Sequence, residues 1–409
     1  MNKRARNTAI GNIFIVMMAV GSYVTFSLYI LPLSESLGVS VGKISIMFSI
    51  AGISGLVTSL LLGKILDAFN IKKIIVASGI MFFIFFFLLS TAKSIWFIYL
   101  GGFFSGFSQI LSGYPIAQVS ITWWFKKNTG KLMSMLSIGG GISGIIMVQV
   151  VAKLLKNVGL QKTAFLQGSF VSLVIILSGL FLISNHPKKY GMNAVGDKKS
   201  KETEKIRINE FKKDDEGFSK FKKKPAFWMV LSASFFIAVS ITGFVTHASV
   251  YFQSTGLDVT KAALCVSAYS FARLGFAPFY GILVDKYGPG LSTSLYGSAT
   301  AIIFFMSFIL NGLFGGIIIA VFVASSASMA AMMGAISFNK IFGNQDSNHL
   351  VGYSHAAVNI GGILGSPMAG FIYDYFGNYD LFMIIAGICT ILSVILISLA
   401  SRKKISSTK

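Results

Sequence analysis

An all-α membrane protein, with twelve transmembrane helices in two pseudo-symmetric six-helix halves, is the fold class this 409-residue sequence predicts. Three observations predict it. Hydrophobic residues make up 54% of the chain and charged residues 12%, and the charges are confined to short islands between apolar runs, which excludes a soluble domain. Twelve of the runs have the roughly 20 residues that a helix needs to cross a bilayer. Short signatures also recur 218 positions apart, which divides the chain in two.

The first run, near residues 8–31, follows a basic start (Lys3, Arg4, Arg6) and imitates a secretory signal. It is too long and lacks a clear small-residue cleavage site, so it reads as an uncleaved first span. Runs near 44–66, 74–91, 95–119, 131–152 and 163–184 complete an N-terminal half, 1–184. Residues 185–225 hold 13 Lys/Arg and seven Asp/Glu with almost no aliphatic side chains, and read as a solvated cytoplasmic linker. Its basic residues either set topology or touch anionic headgroups of membrane lipid. Runs near 226–252, 261–284, 291–311, 313–337, 349–373 and 379–400 form the C-terminal half, 226–409.

A net charge of +21 invites a nucleic-acid reading, but topology accounts for it. With both termini cytoplasmic, 28 Lys/Arg fall inside against six outside (Lys43, Lys93, Lys153, Lys156, Lys162 and Lys261), as the positive-inside rule demands. The expectation is a multi-pass protein of the cell membrane, a monomer, with no nucleic-acid partner. Cys265 and Cys389 fall within spans and read as packed thiols.

The repeat is specific. Gly63-Lys-Ile-Leu-Asp67 after the second span matches Gly281-Ile-Leu-Val-Asp285-Lys286-Tyr-Gly288 after the eighth, and the same offset carries Ala152, Lys156, Gly159 and Lys162 onto Gly370, Asp374, Gly377 and Asp380. It also carries Gly144 onto Gly362. Parallel six-span repeats are the plan of one large transporter fold.

On these residues the chain resembles the major facilitator superfamily over its whole length apart from the linker. The Gly-x-x-x-Asp signatures with their basic followers (Asp67 with Lys72 and Lys73; Asp285 with Lys286) look like that family's loop motif. Physically they suit a gate, in which a carboxylate and basic side chains near helix ends latch the halves in one state and release them in another. The first copy departs from the pattern, with Ala68-Phe69-Asn70 where a basic residue and Gly are common. A narrower resemblance runs through residues 114–144, YPIAQVSITWWFKKNTGKLMSMLSIGGGISG, which is similar to the oxalate/formate antiporter and monocarboxylate transporter families. It implies that an arginine of the eighth span, here Arg273, binds a carboxylate and that a basic residue of the eleventh, here His355, assists. Animal monocarboxylate transporters carry an acid four residues before that arginine, where this chain has Tyr269.

The residues point the same way without the resemblance. Arg273 sits midway along an apolar run, where a guanidinium costs at least a few kcal/mol unless an anion answers it, and no acidic side chain lies inside any span. Its planar fork of donors matches a carboxylate bidentately. Tyr269, one turn earlier, either donates to the same substrate or packs between helices. His355 and Asn359 share a face of the eleventh span. His355 is a second anion contact, a proton carrier or a neutral histidine bonded between helices, and His247, near the outer end of the seventh span, is a second proton-carrier candidate. Tyr23 with Ser27, and Tyr114 with Gln118, are four-residue polar pairs that either supply the opposite wall of the site or glue helices.

No metal-spaced Cys/His cluster, nucleotide-binding loop or intramembrane carboxylate pair is present, so neither an enzyme nor a cofactor is expected. The leading expectation is a secondary transporter of a small carboxylate such as lactate, pyruvate, formate or oxalate, coupled to protons or to an exchanged anion. The alternatives are efflux of drug-like or other organic compounds and, from another class, a non-transporting membrane sensor on the same fold.

Overall fold

The computed structural model describes residues 3–127, 129–196, 222–342 and 347–402. Most of the expected linker, 197–221, and the end of the C-terminal tail lie outside the described residues. In chain order the helices are α1 (Lys3–Thr25), α2 (Ile30–Leu37), α3 (Val41–Ala68), α4 (Ile71–Ser90), α5 (Ile95–Ser112) and α6 (Tyr114–Trp124), followed by α7 (Thr129–Leu177) and α8 (Pro225–Ser254). After them come α9 (Val259–Met306), α10 (Gly312–Phe342), α11 (Ser347–Phe376) and α12 (Asp380–Arg402).

Among the described residues ten helical segments are long and apolar enough to span a membrane. Two of them contain two spans each. The 48 residues of α9 would extend about 72 Å as one rod, more than twice the hydrocarbon thickness, and both α7 and α9 lose helical geometry at one glycine. Gly159 (φ 78°) breaks α7 and Gly288 (φ 82°) breaks α9, each in the left-handed region that a Cβ disfavours. Twelve crossings result, as the apolar runs predict. The repeat is also visible in the backbone: Gly38 and Gly256, and Gly159 and Gly377, are pairs 218 apart in which all four residues have positive φ.

Two spans are less regular than their apolar runs suggest. The first tightens to a 3-10 turn at Phe26–Leu28, and there the Ser27 hydroxyl bonds back to the Val24 carbonyl and is buried. Ser27 therefore does not accompany Tyr23, which stays 39% exposed. The fourth is interrupted at Gly113, so Tyr114 opens a second short helix, α6, with Pro115 in its first turn, where a missing N–H costs nothing.

The halves meet along α3 with α11 and α7 with α9. On the first seam a Cβ on Gly42 would strike Phe371 and Asp374, and one on Gly52 would strike Ile363. Ser49 donates to the Ile363 carbonyl, while on the second seam Gln149 donates to Ser267 at 2.9 Å. By contrast Gly63, Gly130 and Gly352, nearer the chain termini on α3, α7 and α11, have no atom within 4 Å of where a Cβ would stand. The bundle is thus closed at the face away from the termini and open at the face that carries them. At the open face Val195 pairs with the backbone of Trp124 and Lys126, seating the chain that follows α7 on the Trp123-Trp124-Phe125 sequence.

Candidate substrate site

A cavity of about 290 Å³ lies between the halves, formed by α1, α3, α4 and α5 on one side and α8 and α11 on the other. Close helix approach shapes it: Gly106 on α5 packs directly on Ala51 and Ser54 of α3, where any Cβ would collide. Aromatic and aliphatic groups make most of its wall, chiefly Phe26, Met47, Phe48, Phe85, Ile110 and Ile363. The polar groups facing it include Tyr23, Ser105, Gln109, Thr242 and Asn359. No Asp or Glu lines it among the described residues.

Arg273 stands on α9, which contributes no lining residue to this cavity; α1 links the two, since Tyr23 lines the cavity while Val24 meets Gly144 beside Ser270, one turn from the arginine. Its backbone carbonyl accepts from Ser328 of α10 at 3.4 Å, fixing the helix, but among the described residues its guanidinium has neither a hydrogen-bond acceptor nor a carboxylate partner. The side chain is half-buried. Three phenols come from the helices around it: Tyr269 lies one turn away on α9, Tyr114 opens α6 against Gly140, next to the Gly141 on which Leu274 packs, and Tyr23 of α1 precedes Val24, which meets Gly144 with Ser270. Tyr23 belongs to both environments, because it also lines the cavity and its ring meets Phe48 edge-on at 6.4 Å. The Tyr114 hydroxyl lies against the glycine-rich stretch of α7, 2.8 Å from where a Gly140 Cβ would stand. Small residues keep that seam tight, with Ser270 on Gly144 and Leu274 on Gly141, and so bring α9 and its arginine to the first half.

The structure sorts the remaining candidates by place. Asn359 opens into the cavity, while His355, one turn nearer the termini on the same face, is exposed toward the open side. Gln118 is exposed on α6 and does not line the cavity. His247 is buried at the closed face, where Nε2 lies 3.0 Å from both the Ser45 hydroxyl and the Ser366 carbonyl and Nδ1 lies 2.8 Å from the Tyr379 hydroxyl. A carbonyl only accepts, and Ser45 spends its proton on the Val41 carbonyl, so Nε2 carries the ring hydrogen and Nδ1 accepts from Tyr379.

The loop-motif residues lie at the open face. Asp285 pairs with Lys340 at 3.6 Å, Lys286 lies over the Tyr287 ring, and Gly281 sits in open space apart from Met332. In the other copy Lys72 caps the Leu180 carbonyl at 3.1 Å, Lys73 is exposed, and Asp67 has no ion-pair partner among the described residues. Sequence reasoning missed Ser105, Gln109, Thr242 and the aromatic wall. Their only signal was a polar atom in an apolar run, which serines and threonines give throughout membrane helices.

The chain belongs to the Major Facilitator Superfamily, whose family profile matches residues 12–267 and 248–409. It is 29% identical over 284 residues to YhjX, an uncharacterized MFS-type transporter of Escherichia coli (strain K12), covering 68% of this chain and 66% of that one. It is 25% identical to monocarboxylate transporter 10 of Danio rerio over 67% of this chain and 53% of that one. It is 22% identical to the oxalate:formate antiporter of Oxalobacter formigenes over 91% of this chain and 86% of that one. In the first two, the matched region takes in less than two thirds of the relative's length. A bacterial homologue of the human lysosomal transporter Spinster superposes with a TM-score of 0.75 over 99% of this chain and 98% of that one, at 14% identity, which shows the fold alone.

Proposed function

We propose that this chain is a secondary transporter of a small organic carboxylate, working by alternating access around Arg273. One observation carries the reading: a permanently charged guanidinium, half-buried midway along a span-length apolar run, lacks an anionic partner among the described residues. A carboxylate supplies the missing charge and takes both prongs of the fork, with hydroxyls of Tyr23, Tyr114 and Tyr269 as the candidate donors to its remaining lone pairs. Substrate binding then neutralises the charge that otherwise resists closure of the open face. Residues 1–184 and 226–409 are the rocking units and 185–225 their linker, and the positive-inside count supports a cytoplasmic open face in a cell-membrane protein. His355, exposed on the open side, is the coupling candidate that protons can reach. The chain's relatedness to a monocarboxylate transporter and an oxalate:formate antiporter supports the substrate class.

The test is counterflow of radiolabelled short-chain acids in proteoliposomes of the purified protein. Wild type accumulates label. Arg273→Lys keeps the charge but loses the fork, so uptake falls by roughly 10- to 100-fold with the melting temperature preserved. Wild-type rates in Arg273→Lys and Arg273→Gln vesicles locate the site elsewhere. Binding without flux identifies a sensor instead of a carrier.

A further inference from the structure

We infer that the transported acid carries an apolar body and no cationic group, with Phe26, Met47, Phe48 and Phe85 as the residues that select it. This rests on the carboxylate reading of Arg273 and narrows it. The cavity that α1 links to the Arg273 helix is built for carbon. Phe48 meets Phe26 edge-on at 5.1 Å, Phe26 faces Phe85 at 5.9 Å, and Tyr23, one residue before the Val24 that meets Gly144 beside Ser270, joins this wall through its contact with Phe48. Formate and oxalate have no apolar atoms to set against these rings. Either would leave most of a 290 Å³ cavity to water, whose share of liquid volume is about 30 Å³ per molecule. A larger apolar body displaces that water, and each methylene buried strengthens binding roughly fourfold.

The polar groups on the same wall set the second limit. Tyr23, Ser105, Thr242 and Asn359 have no side-chain hydrogen-bond partner among the described residues, so they offer neutral donors and acceptors to an oxo or hydroxyl substituent. An ammonium group finds no carboxylate among the cavity-lining residues, and desolvating it there is unfavourable. The selected class is therefore a branched or aromatic monocarboxylate, oxo- or hydroxy-substituted, and not the matching amino acid.

Competition of counterflow by matched pairs tests this: phenylpyruvate against pyruvate, isovalerate against acetate, and phenylpyruvate against phenylalanine, with formate and oxalate alongside. Phenylpyruvate and isovalerate are expected to compete at concentrations at least about tenfold below those of pyruvate and acetate, with phenylalanine ineffective. Pyruvate, formate or oxalate matching phenylpyruvate in an Arg273-dependent assay overturns this inference and leaves the carboxylate reading standing. No competition by any acid overturns both. The ratio of phenylpyruvate to pyruvate affinity, measured on one preparation, is insensitive to partial loss of folded protein. It should shrink about tenfold in Phe48→Ala and less in Phe48→Leu, and an unchanged ratio in both removes Phe48 from the site.

Discussion

Asp374, near the far end of α11, accepts hydrogen bonds from the backbone N–H groups of Val41 and Gly42, at 2.9 and 2.7 Å, in the first turn of α3. The orphan donors of one half's helix are thus satisfied by a carboxylate of the other, and opening the closed face must break both bonds. The equivalent position in the repeat, 218 residues earlier, is Lys156, which makes the opposite choice. There α9 is capped in its own chain segment by Asp258, bonded to Thr260 and Lys261 N–H at 2.9 Å, and the Lys156 charge acts on Asp258.

Asp374→Ala should therefore favour the state open at the face away from the termini by about 1 kcal/mol, roughly fivefold in the gate equilibrium. The measurement is labelling of Ile363→Cys, in the cavity wall, by a membrane-impermeant thiol reagent added from that face. Equal rates in the presence and absence of Asp374 show that the latch does not hold the gate.

Asp258 gives a pH signature. The backbone N–H of Lys261 and then that of Thr260, with the Lys261 and Lys156 charges adding to them, hold its carboxyl below the usual range. A carboxylate depressed on folding stabilises the protein above its unfolded pKa of about 3.9, and that contribution disappears as pH falls through the folded value. The melting temperature of Asp258→Ala should lie below wild type at neutral pH and converge on it in acid. A gap that persists or widens below about pH 4 contradicts the assignment.

His247 and Ser45 form the second contact across the closed face. Ser45→Ala removes an acceptor from Nε2 but leaves it the Ser366 carbonyl, so it should cost less than His247→Ala, which strands the Tyr379 hydroxyl in a buried site. The double variant should fall short of the sum of the singles by about 0.5 to 1 kcal/mol in stability. Strict additivity would mean the two side chains do not interact.

The chain's spans were legible because lipid imposes them: an unpaired backbone cannot cross hydrocarbon, so each crossing of a helical chain is an apolar segment of nearly fixed length, and the duplication was legible from one shared offset. Gly159 and Gly377 could be matched by offset alone, and both prove to be left-handed turns. What escaped was set by tertiary geometry. Pro115 marks a kink near Gly113 but not where the break leaves Tyr114, and helical periodicity does not show the 3-10 turn that separates Ser27 from Tyr23. Helical periodicity put His355 and Asn359 on one face, yet only the tilt of α11 against α3 decides that Asn359 is the one inside the cavity. The aromatic wall was invisible for a simpler reason. With 38 phenylalanines in the chain, no single one announces a site.

Two glycines separate folding from transport. At Gly106 a methyl group would run into the Ala51 carbonyl within one half, where the backbone has nowhere to go, so Gly106→Ala should lower stability by about 1–3 kcal/mol. At Gly144 the obstacle is Ser270 Oγ at 2.7 Å, across the seam between the halves that the proposed mechanism moves relative to each other. Gly144→Ala should melt close to wild type while slowing counterflow severalfold, with Gly144→Ala/Ser270→Ala recovering part of the rate. Equal losses of stability in the two single variants would place Gly144 in an ordinary packing contact.

The last prediction separates the two polar residues of α11. Asn359 lines the cavity and has no titratable proton, so Asn359→Leu should weaken substrate competition while leaving the pH profile of uptake unchanged in shape. His355 lies one turn outside, exposed on the open side, and its imidazole can take up and release a proton. If it couples proton movement to transport, His355→Gln should flatten the dependence of uptake on pH and abolish the response to an imposed proton gradient, with counterflow retained. Counterflow is the decisive control, because exchange of like for like across the membrane requires no net proton transfer. A variant that keeps exchange and loses gradient-driven accumulation has lost coupling alone. One that keeps both shows that the compensating charge travels as an exchanged anion or by another residue.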